Sequence, residues 1–566
     1  MNKMKKALAL LLCLVMTVSA LAGCSSSGSS TETTTAGANS GTVSETTQTE
    51  DGKTYKRIVV ANSDSVVALD PAAAEDAISG VIVGNTIEGL FSVTPEGTVE
   101  PAMASKVEVS EDALTWTFTI RDDAYWSNGD PVTADDFLFG IQRISDPTAS
   151  VSPFAFEVES AHIKNATPVV TGEMPLDQLG VTAKDDKTLV IELDTPCGYL
   201  EPLLTFSAFA PTNRAFYESK GENFGLTPED ILFNGPYVVS SFDTGSNVVT
   251  LTKNPTYYDA ANVDIDEITF QTIGDTQSAV MAFENGDVDM INLTGDTVEQ
   301  KKDDPAFQSG MGVFNWYLSF NTLEVPNANL RKAISCAIDR VTLCDYILKD
   351  GSVPSYNVLQ RGFCYGPKGT DFVDDCGSDP YDYNLDLAKE YWEKAQQETD
   401  MRSITLIYEE DNAMIASVAP YVQSAIESAL EGFTVNLQIM PKKSRLENMR
   451  TLNYQVALHR WGPDYADPTA IMAMYTEGHD SNYVGGIVSG GYDEMYKEAN
   501  TTLAGDAEAR WQKLIEAEQA LMEDSCVVPL FQVGSCHLVN TNLKNCVEHI
   551  TSISYRYKYC TLDVAE

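Results

Sequence analysis

Positive charge is scarce in this chain of 566 residues: 37 lysines and arginines face 82 aspartates and glutamates, for a net charge of −45. So acidic a surface argues against a nucleic-acid partner and against adhesion to anionic lipid through charge, and it names no ligand. Histidine is scarcer still. His162, His459, His479, His537 and His549 are dispersed, with neither HExxH nor a paired spacing, so direct metal ligation is not indicated. The sequence has no GxSxG elbow for an activated serine and no GxxxxGK-Ser/Thr loop for a nucleotide phosphate. Beyond the first residues no segment holds 18 uninterrupted apolar positions, which leaves the remainder without a membrane-spanning candidate.

The start of the chain is different. Met-Asn-Lys-Met-Lys-Lys is followed by an apolar run from Ala7 to Val18, too short to cross a bilayer stably but suited to the hydrophobic region of a signal peptide. The run leads into Leu21-Ala22-Gly23-Cys24. This resembles the bacterial lipobox, which implies a diacylglyceryl group on the Cys24 thiol and cleavage just before it; an ordinary secretory signal that contains a cysteine is the alternative. Residues 25 to about 50 are almost wholly Ser, Thr, Gly, Ala, Asn and Gln. Such a stretch buries too little apolar surface to fold and acts as a tether of roughly 25–30 Å.

Eleven cysteines occur, two of them in the signal region, and the other nine include no CxxC. Cys364 and Cys376 are near enough in sequence to close a loop, and the rest read as single buried thiols. The regular elements are mixed. Leu114-Thr-Trp-Thr-Phe-Thr-Ile120 alternates as a half-buried strand does, and Thr188–Leu193 and Val248–Leu251 are shorter candidates. Ile415, Val418, Val422, Ala425, Ile426 and Ala429 recur at helical spacing before Gly432, and Trp511, Leu514, Ile515, Leu521 and Met522 mark a second helix. Interleaved strands and helices without repeats or heptads indicate an α/β fold.

One long stretch, Leu114 to Pro147, reads LTWTFTIRDDAYWSNGDPVTADDFLFGIQRISDP. It resembles the signature of the oligopeptide- and dipeptide-binding proteins of bacterial ABC importers, extracellular solute-binding proteins of family 5. Leu69-Asp70-Pro71, Glu88-Gly89-Leu90, Asn234-Gly235-Pro236-Tyr237, the Lys253–Asp259 segment KNPTYYD and the Asn285–Asp289 segment NGDVD carry the likeness onward. Phe320-Asn321-Thr322, the Arg331–Arg340 segment RKAISCAIDR and the Trp461–Pro468 segment WGPDYADP complete it in order.

The resemblance implies a two-lobed periplasmic-binding-protein-like fold of type II with an extra domain inserted in the first lobe. The expected layout is a signal peptide at 1–23, a lipidated linker at 24–54, and a discontinuous first lobe at 55–90, 213–314 and 530–566. The insert is 91–212 and the second lobe 315–529. It further implies an extended peptide held by strand-like main-chain contacts from Glu75, Asp76 and Ala77 and from Arg460, Trp461 and Gly462, a mode that tolerates many sequences because every peptide offers the same backbone. The α-ammonium would be met by Asp464, with Tyr465 beside it; a solvated turn aspartate ahead of Asp467-Pro468 is the plainer alternative. Trp461, Tyr317 and Phe154 fall where aromatic pocket walls are expected, Phe154 in place of a tyrosine. The implied partners are the peptide, a transmembrane permease with its cognate ATPase, and the membrane through the Cys24 lipid. A monomer with no cofactor, no metal and no catalytic residues is expected, at an extracytoplasmic membrane surface.

Some positions depart from the pattern. A cysteine pair expected in the Gly462 and Phe314 slots is absent. Basic residues for a peptide carboxylate fall on Met449 and Leu458, although Arg450 and Arg460 lie nearby, and a pocket tryptophan falls on Lys442. These departures leave open a related ligand: a nickel chelate, a haem, an oligosaccharide or an opine. A secreted hydrolase is the rival from another class, and abundant carboxylates alone do not support it.

Overall fold

The computed structural model describes residues 54–563 except 75, 149–153, 243–246, 378–379, 411–412, 464, 480–481 and 552, together with the backbone of 46–48 and 413. Cys24, Glu75 and Asp464 therefore lie outside the described residues.

Two-residue alternation builds a sheet covered on both faces. In β1 (Thr54–Asn62), Ile58 and Val60 enter one core while Val59 and Ala61 enter another. Four antiparallel strands, β2 (Ala104–Val109), β3 (Thr115–Ile120), β4 (Val181–Asp185) and β5 (Thr188–Glu192), form a separate sheet in the order β2-β3-β5-β4. The chain then returns to the main sheet through β6 (Tyr237–Ser241), β7 (Val248–Lys253), β8 (Glu267–Thr272) and β9 (Met290–Leu293). The last strands are β10 (Phe307–Phe320), β11 (Ser403–Glu409), β12 (Thr434–Met440), β13 (Val456–Trp461) and β14 (Val527–Val539). The hydrogen-bonded order is β12-β11-β13-β10-β14-β9-β1-β8-β7-β6, with short strands at Thr46–Gln48 and Val353–Pro354 added beside β1 and β14.

This α/β sheet runs through two lobes, and β10 and β14 belong to both. Phe307, Cys536 and Leu538 pack on a first-lobe core, whereas Trp316, Leu318, Phe320, Val528 and Leu530 pack on a second-lobe core. Helices cover the faces. The helical spacing before Gly432 forms Ala413–Ala429, and the Trp511–Met522 pattern lies in Ala507–Asp524. Among the described residues no helix is long and apolar enough to cross a membrane.

The motifs that carry the family resemblance are mostly architecture. Thr133 and Asp136 form a capping box at the start of the helix Ala134–Ser145, and the Trp126 indole N–H donates to Asp136 Oδ2 at 3.0 Å. Glu88 is the meeting point of several motifs. Its backbone exchanges hydrogen bonds with the Asn234 side chain (2.9 and 3.1 Å), and its buried carboxylate accepts from Tyr257 (3.0 Å) and Lys558 Nζ (2.7 Å). Burial alone would raise the Glu88 carboxyl, but Lys558, Arg556 and Tyr257 carry it below the ordinary value. Asp289 accepts from the Val59 N–H and from Asn540 Nδ2 (each 2.8 Å), and Arg331 pairs with Asp524 at 2.8 Å, both within the interior.

The cysteine expectation is corrected. Cys364 and Cys376 are buried free thiols, and the disulfide joins Cys546 to Cys560. Pairing of Leu543 with Leu562 and of Lys544 with Thr561 brings that second couple together.

Removing the cation from the Glu88 network strands a buried carboxylate. Lys558→Met is expected to lower unfolding stability by about 3–5 kcal/mol in urea titrations, and adding Glu88→Gln to that variant to recover part of the loss.

Candidate ligand-binding site

Arg460, Trp461 and Gly462, three of the residues expected to bind ligand, lie at the end of β13. Its partner β10 is antiparallel, with Tyr317 opposite His459 and Asn315 opposite Trp461. On its other side β13 pairs with β11 only through Val456 and Ala457. Residues 458–461 thus have no strand partner on that side among the described residues. Leu458 and His459 are buried, so the open part of this edge is Arg460 and Trp461, the kind of surface to which an extended chain adds by main-chain hydrogen bonds.

Side chains alternate along this edge. Arg460 lies over the ring of Phe314, with its guanidinium carbon 4.1 Å from the centroid, and 5.7 Å from that of Trp316. It is half-buried, burial lowers its pKa, and among the described residues no carboxylate lies within ion-pair distance. Trp461 points to the opposite face, its ring centroid 6.3 Å from that of Tyr483, and its indole N–H is enclosed without an acceptor among the described residues. An unmet donor of this kind carries a cost that a ligand oxygen would remove. The backbone is pinned here by Gln360, whose Nε2 donates to the carbonyls of Trp461 (2.9 Å) and Val313 (3.1 Å). A Cβ on Gly462 would come within 3.0 Å of the Phe314 ring, so the two slots that lack the cysteine pair are filled by a ring against a glycine.

The other expected residues sort differently. Asp76 caps the helix Ala77–Thr86 by accepting from the Ser79 N–H at 2.8 Å, and Ala77 is exposed at its first turn. Tyr317 is corrected from pocket wall to core: it is 0% exposed and its hydroxyl donates to the Val358 carbonyl at 2.6 Å. Phe154 is likewise packed edge-on against Phe206 (5.2 Å). Tyr465 is buried, stacked 5.1 Å from Tyr199, and so ties the turn after β13 to the inserted region. Just beyond it Asp467 holds Arg510 in a buried two-pronged pair at 2.7 and 2.8 Å, with that guanidinium 5.4 Å from the Tyr199 ring. Met449 and Leu458 are fully buried apolar side chains, Lys442 and Arg450 exposed.

Two cavities meet the crossing strands. One of about 450 Å³ is lined by Gln308–Met311 of β10, by His537 and Val539 of β14, by Gly362 and Phe363, and by Ala466 two residues past Asp464. The C-terminal segment Cys546–Thr551 forms another wall, a contribution that no sequence signal announced. The other cavity, about 520 Å³, lies between Leu293–Asp296 and a second-lobe surface that includes Leu348, Asp350 and Met414, next to Val533 and Gly534. Both volumes fall in the range of small-molecule and short-peptide sites. His537 and His549 line the first cavity together, yet among the described residues no group of three or more His, Cys, Asp or Glu is arranged to hold a metal ion.

Known proteins resemble this chain over most of its length. The model for bacterial extracellular solute-binding proteins, family 5 Middle, matches residues 98–483. The dipeptide-binding protein of Lactococcus lactis is 29% identical over 521 residues, covering 89% of this chain and 94% of that protein. Listeria monocytogenes OppA bound to peptide superposes with a TM-score of 0.72 at 28% identity, covering 90% of this chain and all of that one. The unliganded open form of the periplasmic murein tripeptide-binding protein MppA gives 0.77 at 27% identity, covering 91% and 98%.

His459, beside the site, provides a test of the packing. It is buried between Tyr317 and Tyr483, its Nε2 lies 2.7 Å from Ser319 Oγ, and burial with help from Arg445 lowers its pKa to about 3 from 6.5. Below pH 6.5 the unfolded chain takes up a proton that the folded chain refuses, so stability falls as pH drops towards 3. Urea titrations at pH 7, 5.5 and 4.5 are expected to show a slope about 1.4 kcal/mol per pH unit shallower in His459→Gln than in the natural chain.

Proposed function

The chain belongs to the bacterial extracellular solute-binding proteins of family 5, and we propose that it is a membrane-tethered receptor that captures short peptides between its two lobes for an ABC importer. The observation that carries this reading is the edge of β13 at Arg460 and Trp461, which has no strand partner on its outer side among the described residues and lies a few residues before Asp464. A peptide backbone pairs there without regard to its side chains. Asp464 supplies a carboxylate for the α-ammonium, the Trp461 indole N–H donates to a ligand oxygen, and Arg460 meets a ligand carboxylate in place of the basic residues absent at 449 and 458.

Relatives named as dipeptide- and oligopeptide-binding proteins support the ligand class. Closure is driven by contacts that only the closed state makes with ligand. Closure then presents both lobes to a permease, and a partner ATPase supplies the energy. The lipid on Cys24 keeps the receptor at the membrane surface while the linker leaves it free to dock. Binding without turnover is the expected chemistry.

Calorimetry with Ala-Ala-Ala and its N-acetyl form tests the anchor. Acetylation is expected to raise Kd at least thirtyfold, about 2 kcal/mol, and Asp464→Ala to do the same while leaving the melting temperature within a few degrees. Equal affinity for the two peptides would remove Asp464 from the site. Cys24→Ser is expected to move the protein from the membrane fraction to the medium; retention on the membrane would rule out the lipid anchor.

A further inference from the structure

We infer that the cavity of about 450 Å³ beside Ala466 is a cation compartment, recognising an amine or guanidinium on the ligand through Glu548. The inference rests on the peptide-receptor reading and deepens it by naming a class of side chain.

Charge composition of the walls comes first. Among the described lining residues there are two carboxylates, Glu96 and Glu548, and no lysine or arginine. Of the two imidazoles, His549 supplies no balancing charge. Burial, then the nearby Arg556, lowers the His549 pKa to about 4, so its ring is neutral at neutral pH.

Position comes second. Glu548 Oε2 lies 3.1 Å from His537 Nε2, and that nitrogen also lies 2.8 Å from Ser535 Oγ and 3.2 Å from the Tyr555 hydroxyl. His537 Nδ1 lies 2.9 Å from Asn292 Oδ1, which fixes the ring from its other side. Glu548 is therefore aimed by a ring that is itself held, yet its side chain keeps 29% of its surface exposed. The segment bearing it is cross-linked by Cys546–Cys560 and bridged at Glu548 to Tyr555. A preplaced carboxylate in a partly enclosed cavity attracts a cation more strongly than one in open water. Tyr365, Tyr555 and Phe363 contribute aromatic side chains to the same walls.

Calorimetry on the full chain with Ala-Lys-Ala, Ala-norleucine-Ala and Ala-Glu-Ala reads the preference, and spermidine tests whether a free amine suffices. The lysine peptide is expected to bind at least tenfold more tightly than the norleucine peptide, an advantage that shrinks as salt rises, with the glutamate peptide weakest. Glu548→Gln is expected to reduce the lysine advantage to less than twofold while leaving norleucine binding unchanged. Equal binding of the lysine and norleucine peptides by the natural chain overturns the inference without any variant and leaves the receptor reading intact. A full lysine advantage retained in Glu548→Gln overturns it as well. Spermidine binding with no peptide binding supports the compartment and overturns the peptide reading; failure of every probe overturns both.

Discussion

Two long strands hold the molecule together, and the rest of the structure depends on how closely they run. β10 and β14 are hydrogen-bonded in both lobes, from Phe307 opposite Leu538 to Ser319 opposite Val527, with a register shift between Met311 and Asn315 where they pass from one lobe to the other. Close approach there requires glycine. A Cβ on Gly312 would lie 2.7 Å from the Val533 carbonyl oxygen, and one on Gly534 would collide with the backbone of Gly351. Gln532 bridges the break, donating to the carbonyls of Gly312 (2.9 Å) and Arg361 (3.0 Å). A register shift pinned by a side-chain amide breaks the ladder locally while the sheet stays continuous.

The site inherits its geometry from that crossing. β13 is placed by its ladder with β10, so the end of β13 stands where β10 leaves the second lobe. Its outer edge opens because β11 stops pairing after Ala457. The turn after β13 is then fixed at both ends, by Gln360 on the Trp461 carbonyl and by the Tyr465–Tyr199 stack with the Asp467–Arg510 pair behind it. An edge held this firmly loses little further freedom when a ligand adds to it.

The fold was legible in the sequence because its evidence is redundant. Alternation named Thr115–Ile120, helical spacing named Ala507–Asp524, and ordered motifs carried the family. Those motifs turn out to be caps, turns and buried networks around Thr133, Asn234, Glu88 and Asp289, and they say much about architecture and little about cargo. The site was less legible, because whether an aromatic residue lines a pocket or fills a core depends on neighbours far away in sequence. Tyr317 is sealed by the Val358 carbonyl, and Phe154 by Phe206. The cavity wall at Cys546–Thr551 and the Cys546–Cys560 bond arise from C-terminal pairing that leaves no local signature.

The central claim is that an extended ligand completes the β13 edge, and backbone amide exchange reads that edge directly. With a saturating tripeptide, exchange of those amides within 460–462 that point away from β10 is expected to slow at least tenfold, while the already paired amides of β10 at 316–320 change little. Exchange at these outward amides that is the same with and without peptide, under conditions where calorimetry shows the peptide bound, would contradict the account.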